Sequence, residues 1–241
     1  MRYGVFSDVH SNLEAFEVAL DFYKKQAIDK FIYLGDIVGY GANPNECIAL
    51  LRRLGPVCIA GNHDWAAIGE FSIAYFNRAA QAAILWTKKH LSEDSIKYLG
   101  NFTLTHEEDD FIGVHGSLDQ PQRFNYIFDI SDAQLSFSYL QKKICFIGHS
   151  HRREVYSLKD DLVSYVKDSQ IKLEKKSKYI INVGSIGQPR DADPRLSLCI
   201  YDSESSIVKF TRLEYNIKKA ADKIIEKGLP LVLAERLYVG R

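Results

Sequence analysis

Tyr3-Gly4-Val5-Phe6-Ser7-Asp8-Val9-His10 passes within eight residues from an apolar run to a carboxylate and an imidazole. The run at residues 3–6 reads as a strand buried on both faces. Asp8 and His10 follow it, two positions apart. In an extended chain that spacing turns both side chains to the same side. An oxygen and a nitrogen ligand are therefore expected to converge beyond the strand end, which is half of a transition-metal site. The pair gains weight only if later strand ends supply matching ligands, and they do.

Working outward, Ser11 or Asn12 can cap a helix that carries Leu13, Phe16, Leu20 and Tyr23 at helical spacing. Residues 31–34 form a second apolar strand, ending in Gly35-Asp36. Asn43 and Pro44 open a second helix with Ile48 and Leu51 inward, and Gly55-Pro56 ends it. Residues 57–60 are a third strand, running into Gly61-Asn62-His63-Asp64. Strands alternating with helices at this spacing predict parallel βαβ units, whose sites form beyond the carboxyl ends of the strands. All three polar clusters lie at that edge.

Further along, residues 72–91 are alanine-rich with helical periodicity and are expected to form one long helix, with Trp86 in its core. Residues 102–105 and 111–114 are expected to form a hairpin whose acidic turn, Glu107 to Asp110, is solvated; it leads to His115-Gly116. A short helix is expected from Ser131 or Asp132, and a strand at 144–147 ends in Gly148-His149-Ser150-His151. Strands at 155–158, 162–166 and 179–183 follow, the last running into Gly184-Ser185-Ile186-Gly187-Gln188-Pro189-Arg190-Asp191. A hairpin at 198–201 and 207–213 and an amphipathic helix marked by Ile217, Ala221 and Ile224 complete the chain, with no further cluster expected in the tail. The βαβ first half and hairpin-rich second half predict an α/β protein of two sheets packed face to face with helices outside, residues 1–241 forming a single domain.

The chain has 31 Lys+Arg against 31 Asp+Glu, so no global basic field exists to hold a nucleic-acid backbone, and stable nucleic-acid binding is not expected. Cys47, Cys58, Cys145 and Cys199 form no Cys-x-x-Cys pair and are expected as free thiols in a reducing compartment. No signal-peptide pattern and no apolar run of about 18 residues is present. A cytoplasmic protein without membrane attachment is expected.

Of seven histidines, His10, His63, His115, His149 and His151 end or follow apolar strands, interleaved with Asp8, Asp36 and Asn62. Packing does not explain such a set; His90 and His106 lie outside it. Asp-x-His, Gly-Asp, Gly-Asn-His-Asp, a lone His and Gly-His-x-His, in this order, resemble the signature of the calcineurin-like metallophosphoesterase superfamily. The resemblance implies a four-layer αββα sandwich of two mixed sheets. It implies that Asp8, His10 and His151 hold one metal, that Asn62, His115 and His149 hold a second, and that Asp36 bridges them. Two ions roughly 3.5–4 Å apart would hold a bridging hydroxide as nucleophile and clamp the phosphate oxygens. The mixed donor set suits Mn²⁺, the first expectation, as well as Fe, Zn²⁺, Ni²⁺ or Co²⁺. His63 would protonate or stabilise the leaving oxygen.

Asp64 either orients His63 or serves as a helix N-cap. Asn12 contacts either a phosphate or a helix N-terminus. Arg190 suits a bidentate phosphate contact or a salt bridge with Asp191 or Asp193. Gly39-Tyr40-Gly41 reads as a turn. Phe124, Tyr126 and Phe128 alternate as the apolar face of a strand or, as the lesser expectation, as an aromatic wall that stacks a base. No arginine follows Gly35-Asp36, unlike the Asp-Arg-Gly element of the Ser/Thr protein phosphatase branch. This leaves the compact bacterial and archaeal phosphodiesterase branch, acting on a small phosphodiester or nucleotide. The alternatives are a phosphomonoesterase or phosphoprotein phosphatase using the same centre, and a non-catalytic scaffold, which retention of His63 and every ligand disfavours.

Overall fold

The structure, a computed structural model, describes residues 1–241. β1 (Arg2–Phe6) sends Tyr3 and Val5 toward a second sheet and Phe6 toward helices, the period-2 alternation of a strand covered on both faces. α1 (Leu13–Tyr23) starts where the Asn12 side chain accepts from Ala15 N at 3.1 Å. It returns the chain to β2 (Lys30–Tyr33), parallel to β1. α2 (Pro44–Leu54) begins with proline and stops at Gly55, whose φ of 67° suits glycine. β3 (Val57–Cys58) then pairs parallel with β2, and α3 (Asn62–Ile68) follows.

The single helix expected over residues 72–91 is broken. A 3₁₀ turn, Ile73–Tyr75, precedes α4 (Arg78–His90). The Asn77 side chain caps Ala80 N at 3.0 Å, and the Gln81 amide donates to the carbonyls of Ile73 and Phe76, so side chains consume the groups a continuous helix would pair. Trp86 is half-buried and stacks on His90. An unforeseen α5 (Glu93–Leu99) leads to β4 (Thr105–Glu107) and β5 (Phe111–Val114). This antiparallel hairpin begins at Thr105 because Phe102 joins the helix-side core of the first sheet. Its acidic turn is not simply solvated. Glu108 bonds Lys30 and His106, and Asp110 accepts from the Tyr201 hydroxyl, which ties the hairpin to the opposite sheet.

α6 (Ile130–Tyr139) starts one turn-position earlier than expected because Asp129, not Ser131 or Asp132, caps it, accepting from both of their amides. β6 (Ile144–Ile147), β7 (Arg153–Lys159), β8 (Leu162–Val166), an unforeseen β9 (Gln170–Lys172), β10 (Lys178–Val183), β11 (Leu196–Asp202) and β12 (Ile207–Leu213) complete the sheets. The first sheet runs β3-β2-β1-β11-β12-β9 and the second β4-β5-β6-β10-β7-β8. Both are mixed: β1, β2 and β3 are parallel, as are β5, β6 and β10, with antiparallel neighbours outside them.

Tyr3, Val5, Ile32 and Leu34 meet Phe111, Ile144, Phe146 and Ile181 between the sheets. α1 and α2 cover the far side of the first sheet, and α6 covers Cys145, Ile147 and Ile180 of the second. This is the four-layer αββα arrangement. The tail holds two helices, α7 (Ile217–Glu226) and the unforeseen α8 (Leu231–Val239), which pack on α4 and on Tyr40. The four cysteines are free, and no helix is long and apolar enough to cross a membrane.

Candidate metal centre

Every candidate ligand lies just beyond the carboxyl end of one of five strands, β1, β2, β3, β5 and β6, with Gly187 to Arg190 after β10 beside them. Asp8 and His10 do not converge by strand alternation, as the extended-chain reading expects. β1 has ended, and Asp8, His10, Asp36, His149 and His151 all have positive φ, between 48° and 67°. Asp and His tolerate this region better than most residues, yet each instance still costs about 1–3 kcal/mol and persists only where surroundings impose it. Loop-to-loop hydrogen bonds impose it. Asp8 N and His10 N donate to Gly35 O and Asp36 O at 2.9 and 3.0 Å, and Gly148 N donates to His115 O at 2.9 Å. His149 N donates to Asp8 Oδ2 at 3.1 Å, joining the two sheets. Gly61 is required here, since a Cβ on it would lie 2.0 Å from Asp36 Oδ1.

Three rings are oriented by carbonyls. Nδ1 of His10, His115 and His151 donates to Val38 O, Leu34 O and Gln188 O at 2.9, 2.7 and 2.6 Å. A carbonyl only accepts, so each Nδ1 carries a hydrogen, and whenever the ring is neutral its Nε2 presents a lone pair. The Nε2 atoms of His10 and His151 face each other at 3.0 Å. Asp8 Oδ1 lies 3.4 Å from His151 Nε2, and Asp36 Oδ2 lies 3.6 Å from His10 Nε2 and 3.3 Å from His115 Nε2. Asp8 Oδ1, Asp36 Oδ2, Asn62 Oδ1 and His115 Nε2 are buried without a hydrogen-bond partner. Lone pairs aimed at one another in a buried site are unfavourable unless a cation sits among them. Asp8, His10, Asp36 and His151 place ligand atoms within 4.8 Å of one another, and Asp36, His115 and His149 form a second such group. The donors fit a divalent metal.

The electrostatics agree. Burial holds His10, His149 and His151 well below the ordinary histidine value, so the rings stay neutral, each with one nitrogen free to ligate. Burial also raises Asp8 to about 7. Burial opposes ionisation of Asp36 too, but His115, His63 and His10 hold it well below the carboxylate range. His115 rises to about 9 because Asp36, and after it Asp8, outweigh its burial. In the metal-free chain a proton on His115 supplies charge that an ion would bring, and metal binding must expel it.

His63 stands beside this cluster, its ring 4.8 Å from that of His10 and 4.5 Å from that of Tyr40, its Nδ1 buried and unbonded. Burial lowers it to about 4. Asp64 does not orient it. The Asp64 carboxylate accepts from the backbone amides of Asp36, Ile37, Val38 and Gly61 at 2.8 to 3.4 Å, clamping the loop that carries Asp36 to the start of α3. Asn12 likewise has a structural role. Besides capping α1, it donates Nδ2 to Gly187 O at 2.8 Å, tying the loop after β1 to the loop after β10.

Arg190 takes neither expected salt bridge, because Asp191 pairs with Arg212 and Asp193 with Arg195. Its guanidinium lies over the Tyr40 ring and donates to Gln188 Oε1 at 2.9 Å. Arg236 of α8 donates to the same oxygen at 3.4 Å, and both Nε atoms are buried and unbonded. Burial and the Arg190 charge push Arg236 below the ordinary arginine value. Two guanidiniums on one neutral acceptor leave a place for an anion. The sequence offered no signal for Arg236, an ordinary position in the last turn of a helix. Phe124, Tyr126 and Phe128 form no strand; Tyr126 stacks on His149 at 3.7 Å and on Phe128 at 4.7 Å, as an aromatic wall of the site.

Comparison with known proteins agrees with this geometry. The sequence profile of the calcineurin-like phosphoesterase superfamily domain matches residues 1–206. An uncharacterised protein of Methanocaldococcus jannaschii is 42% identical over 243 residues, covering 99% of this chain and 98% of that one. The crystal structure of a metallophosphoesterase from Sphaerobacter thermophilus superposes with a TM-score of 0.86 at 36% identity, over 100% of this chain and 99% of that one. A hypothetical protein from Pyrococcus horikoshii shares the fold at a TM-score of 0.81 and 20% identity, over 100% and 98%. A buried carboxylate–imidazole cluster where two mixed sheets meet thus defines a phosphoesterase-type centre. The chain belongs to the calcineurin-like phosphoesterase superfamily.

Proposed function

We propose that this chain is a metal-dependent hydrolase of small phosphoesters that prefers diesters. Asp8, His10 and His151 would hold one divalent ion, Asn62, His115 and His149 a second, with Asp36 between them. The observation that carries the reading is the 3.0 Å approach of two Nε2 lone pairs beside two orphaned carboxylate oxygens. When bound, such ions neutralise phosphoryl oxygens and lower the pKa of a water molecule; Mn²⁺ is the first candidate. Arg190 and Arg236 hold the incoming phosphate through their free guanidinium edges. His63 donates a proton from its ring to the leaving oxygen; the ring is neutral in the resting chain, and an anionic phosphate beside it raises its proton affinity. Asp64 positions Asp36, and Tyr126 fixes the plane of His149. Because α8 supplies Arg236, residues 1–241 act as one domain, and the four free thiols agree with the cytoplasm.

A hydrolysis panel tests this. Metal-stripped protein is reloaded with Mn²⁺, Ni²⁺, Zn²⁺ or Mg²⁺ and offered a nitrophenyl diester and monoester, with bound metal counted by mass spectrometry. Metal-dependent turnover that Asp36→Asn abolishes, faster on the diester, is expected. Faster turnover of the monoester overturns the diester preference. Two bound ions with no turnover of any ester overturn the hydrolase reading in favour of a scaffold.

A further inference from the structure

Beside the candidate centre lies a recess of about 290 Å³ that none of the roles above uses. Asn62, His63 and His149 line it, so a group inside it adjoins any phosphoryl held at the ions. Its walls are aromatic. Phe71 meets Phe124 edge-on at 5.1 Å and Phe76 at 6.2 Å, and Phe76 lies 4.8 Å from the His63 ring. Tyr75, on the 3₁₀ turn that interrupts the expected helix, borders the recess at 91% exposure. Two polar groups border it without intramolecular partners: the Arg123 guanidinium and the amide nitrogen of Asn77, whose oxygen is spent on Ala80. Arg190, over the Tyr40 ring that also borders the recess, and Arg236 stand on the side of His151.

We propose that this recess holds the base of a nucleoside phosphoester, which names the substrate class of the hydrolase proposed above and rests on that reading. Flat aromatic walls stack a planar ring and are tolerant of which base it is. Arg123 and the Asn77 amide supply donors to the base edge that an alkyl chain cannot use, and a bare sugar leaves the rings uncovered. The volume sits at the low end of the roughly 300–1,000 Å³ of small-molecule sites. It suits one nucleoside. The Arg190–Arg236 pair then faces the phosphate, with the Tyr40 ring between Arg190 and the base.

The test separates this inference from the hydrolase reading. Trp65 lies 5.7 Å edge-on to Phe124, so its fluorescence reports on the recess without metal or turnover. The metal-stripped chain and its Tyr75→Ala variant are titrated with adenosine 5′-monophosphate and with ribose 5-phosphate. The metal-loaded proteins are then compared on the 5′-methyl phosphodiesters of adenosine and of ribose. The expected result is tighter binding and higher kcat/KM for the adenosine compounds by on the order of 10-fold or more, the scale of one base–aromatic stack. Most of that preference disappears in Tyr75→Ala, while the ribose compounds are unaffected. Equal binding and equal turnover of both series overturn the base site and leave the hydrolase standing. Tyr75-dependent binding of the nucleotide with no turnover of either series supports the base site and overturns the hydrolase.

Discussion

Replacing Asp64 by Asn changes one atom in a buried carboxylate and separates two roles for that residue. Oδ1 accepts from the amides of Ile37 and Val38, and Oδ2 from those of Asp36 and Gly61. Asparagine keeps a single acceptor oxygen, so in either orientation two buried N–H groups come to face an NH₂ instead of a lone pair. Each unsatisfied buried donor costs about 1–3 kcal/mol, which puts the loss at about 2–6 kcal/mol. For a chain of this size each kcal/mol is worth roughly 2–4 °C, so thermal denaturation should show Tm lower by roughly 5–20 °C. The comparison belongs above the value of about 7 to which burial and the neighbouring Asp36 push the Asp64 carboxyl, where the wild-type group is ionised. Because either orientation loses one bond that fixes Asp36 or the residue after it, metal affinity measured by calorimetry should fall in parallel. An Asp64→Asn protein with wild-type Tm and metal affinity but depressed turnover would refute this reasoning. It would return Asp64 to the role of orienting His63.

His63→Ala should retain its bound ions by mass spectrometry while turnover falls by a factor on the order of 10²–10⁴, the range for loss of a general acid; undiminished turnover removes the proton-donor assignment. Arg236→Ala should raise KM for a phosphoester by on the order of 10-fold, the scale of one charge-assisted hydrogen bond, with little change in kcat; a drop in kcat at constant KM would count against phosphate holding. Glu14, buried on α1, meets Lys223 and Lys219 of α7 at 2.6 and 3.2 Å. Burial raises its carboxyl, but the two ammonium groups outweigh burial and hold it below the ordinary value of 4.5. A folded pKa below the unfolded one stabilises the chain above 4.5, and this stabilisation is lost as the pH falls through the folded value. Tm recorded against pH should therefore fall on the acid side, and Glu14→Gln should flatten that limb; an unchanged limb would show that Glu14 does not anchor α7.

By itself the sequence determined the elements and the edge at which chemistry gathers. Apolar runs of four or five residues between helical segments admit only a buried, largely parallel sheet, and a parallel sheet exposes its functional loops at one end. Hence Asp8, His10, Asp36, Asn62, His63, His115, His149 and His151 were legible as a group: each directly follows such a run. Local pattern failed where a side chain competes with the backbone. Asn77 and Gln81 break the helix expected over 72–91, and Asp129 moves the start of α6, because a cap is decided by which polar side chain reaches the amide first.

Only the tertiary structure decided what the flanking residues do. Asp64 ends one motif and Asn12 follows another, and nothing local states whether their side chains face a substrate or a neighbouring loop. They face Asp36 and Gly187, which lie 28 and 175 positions away. Arg190 is left without a carboxylate because Arg212 and Arg195 take the two nearby aspartates, and Arg236 reaches Gln188 across 48 positions. The left-handed turns that aim Asp8 and His10 are likewise held by bonds from other loops. Periodicity reports which face of an element is apolar, a property of neighbours in sequence. The partner that satisfies a buried polar atom is a property of neighbours in space, and that belongs to the fold.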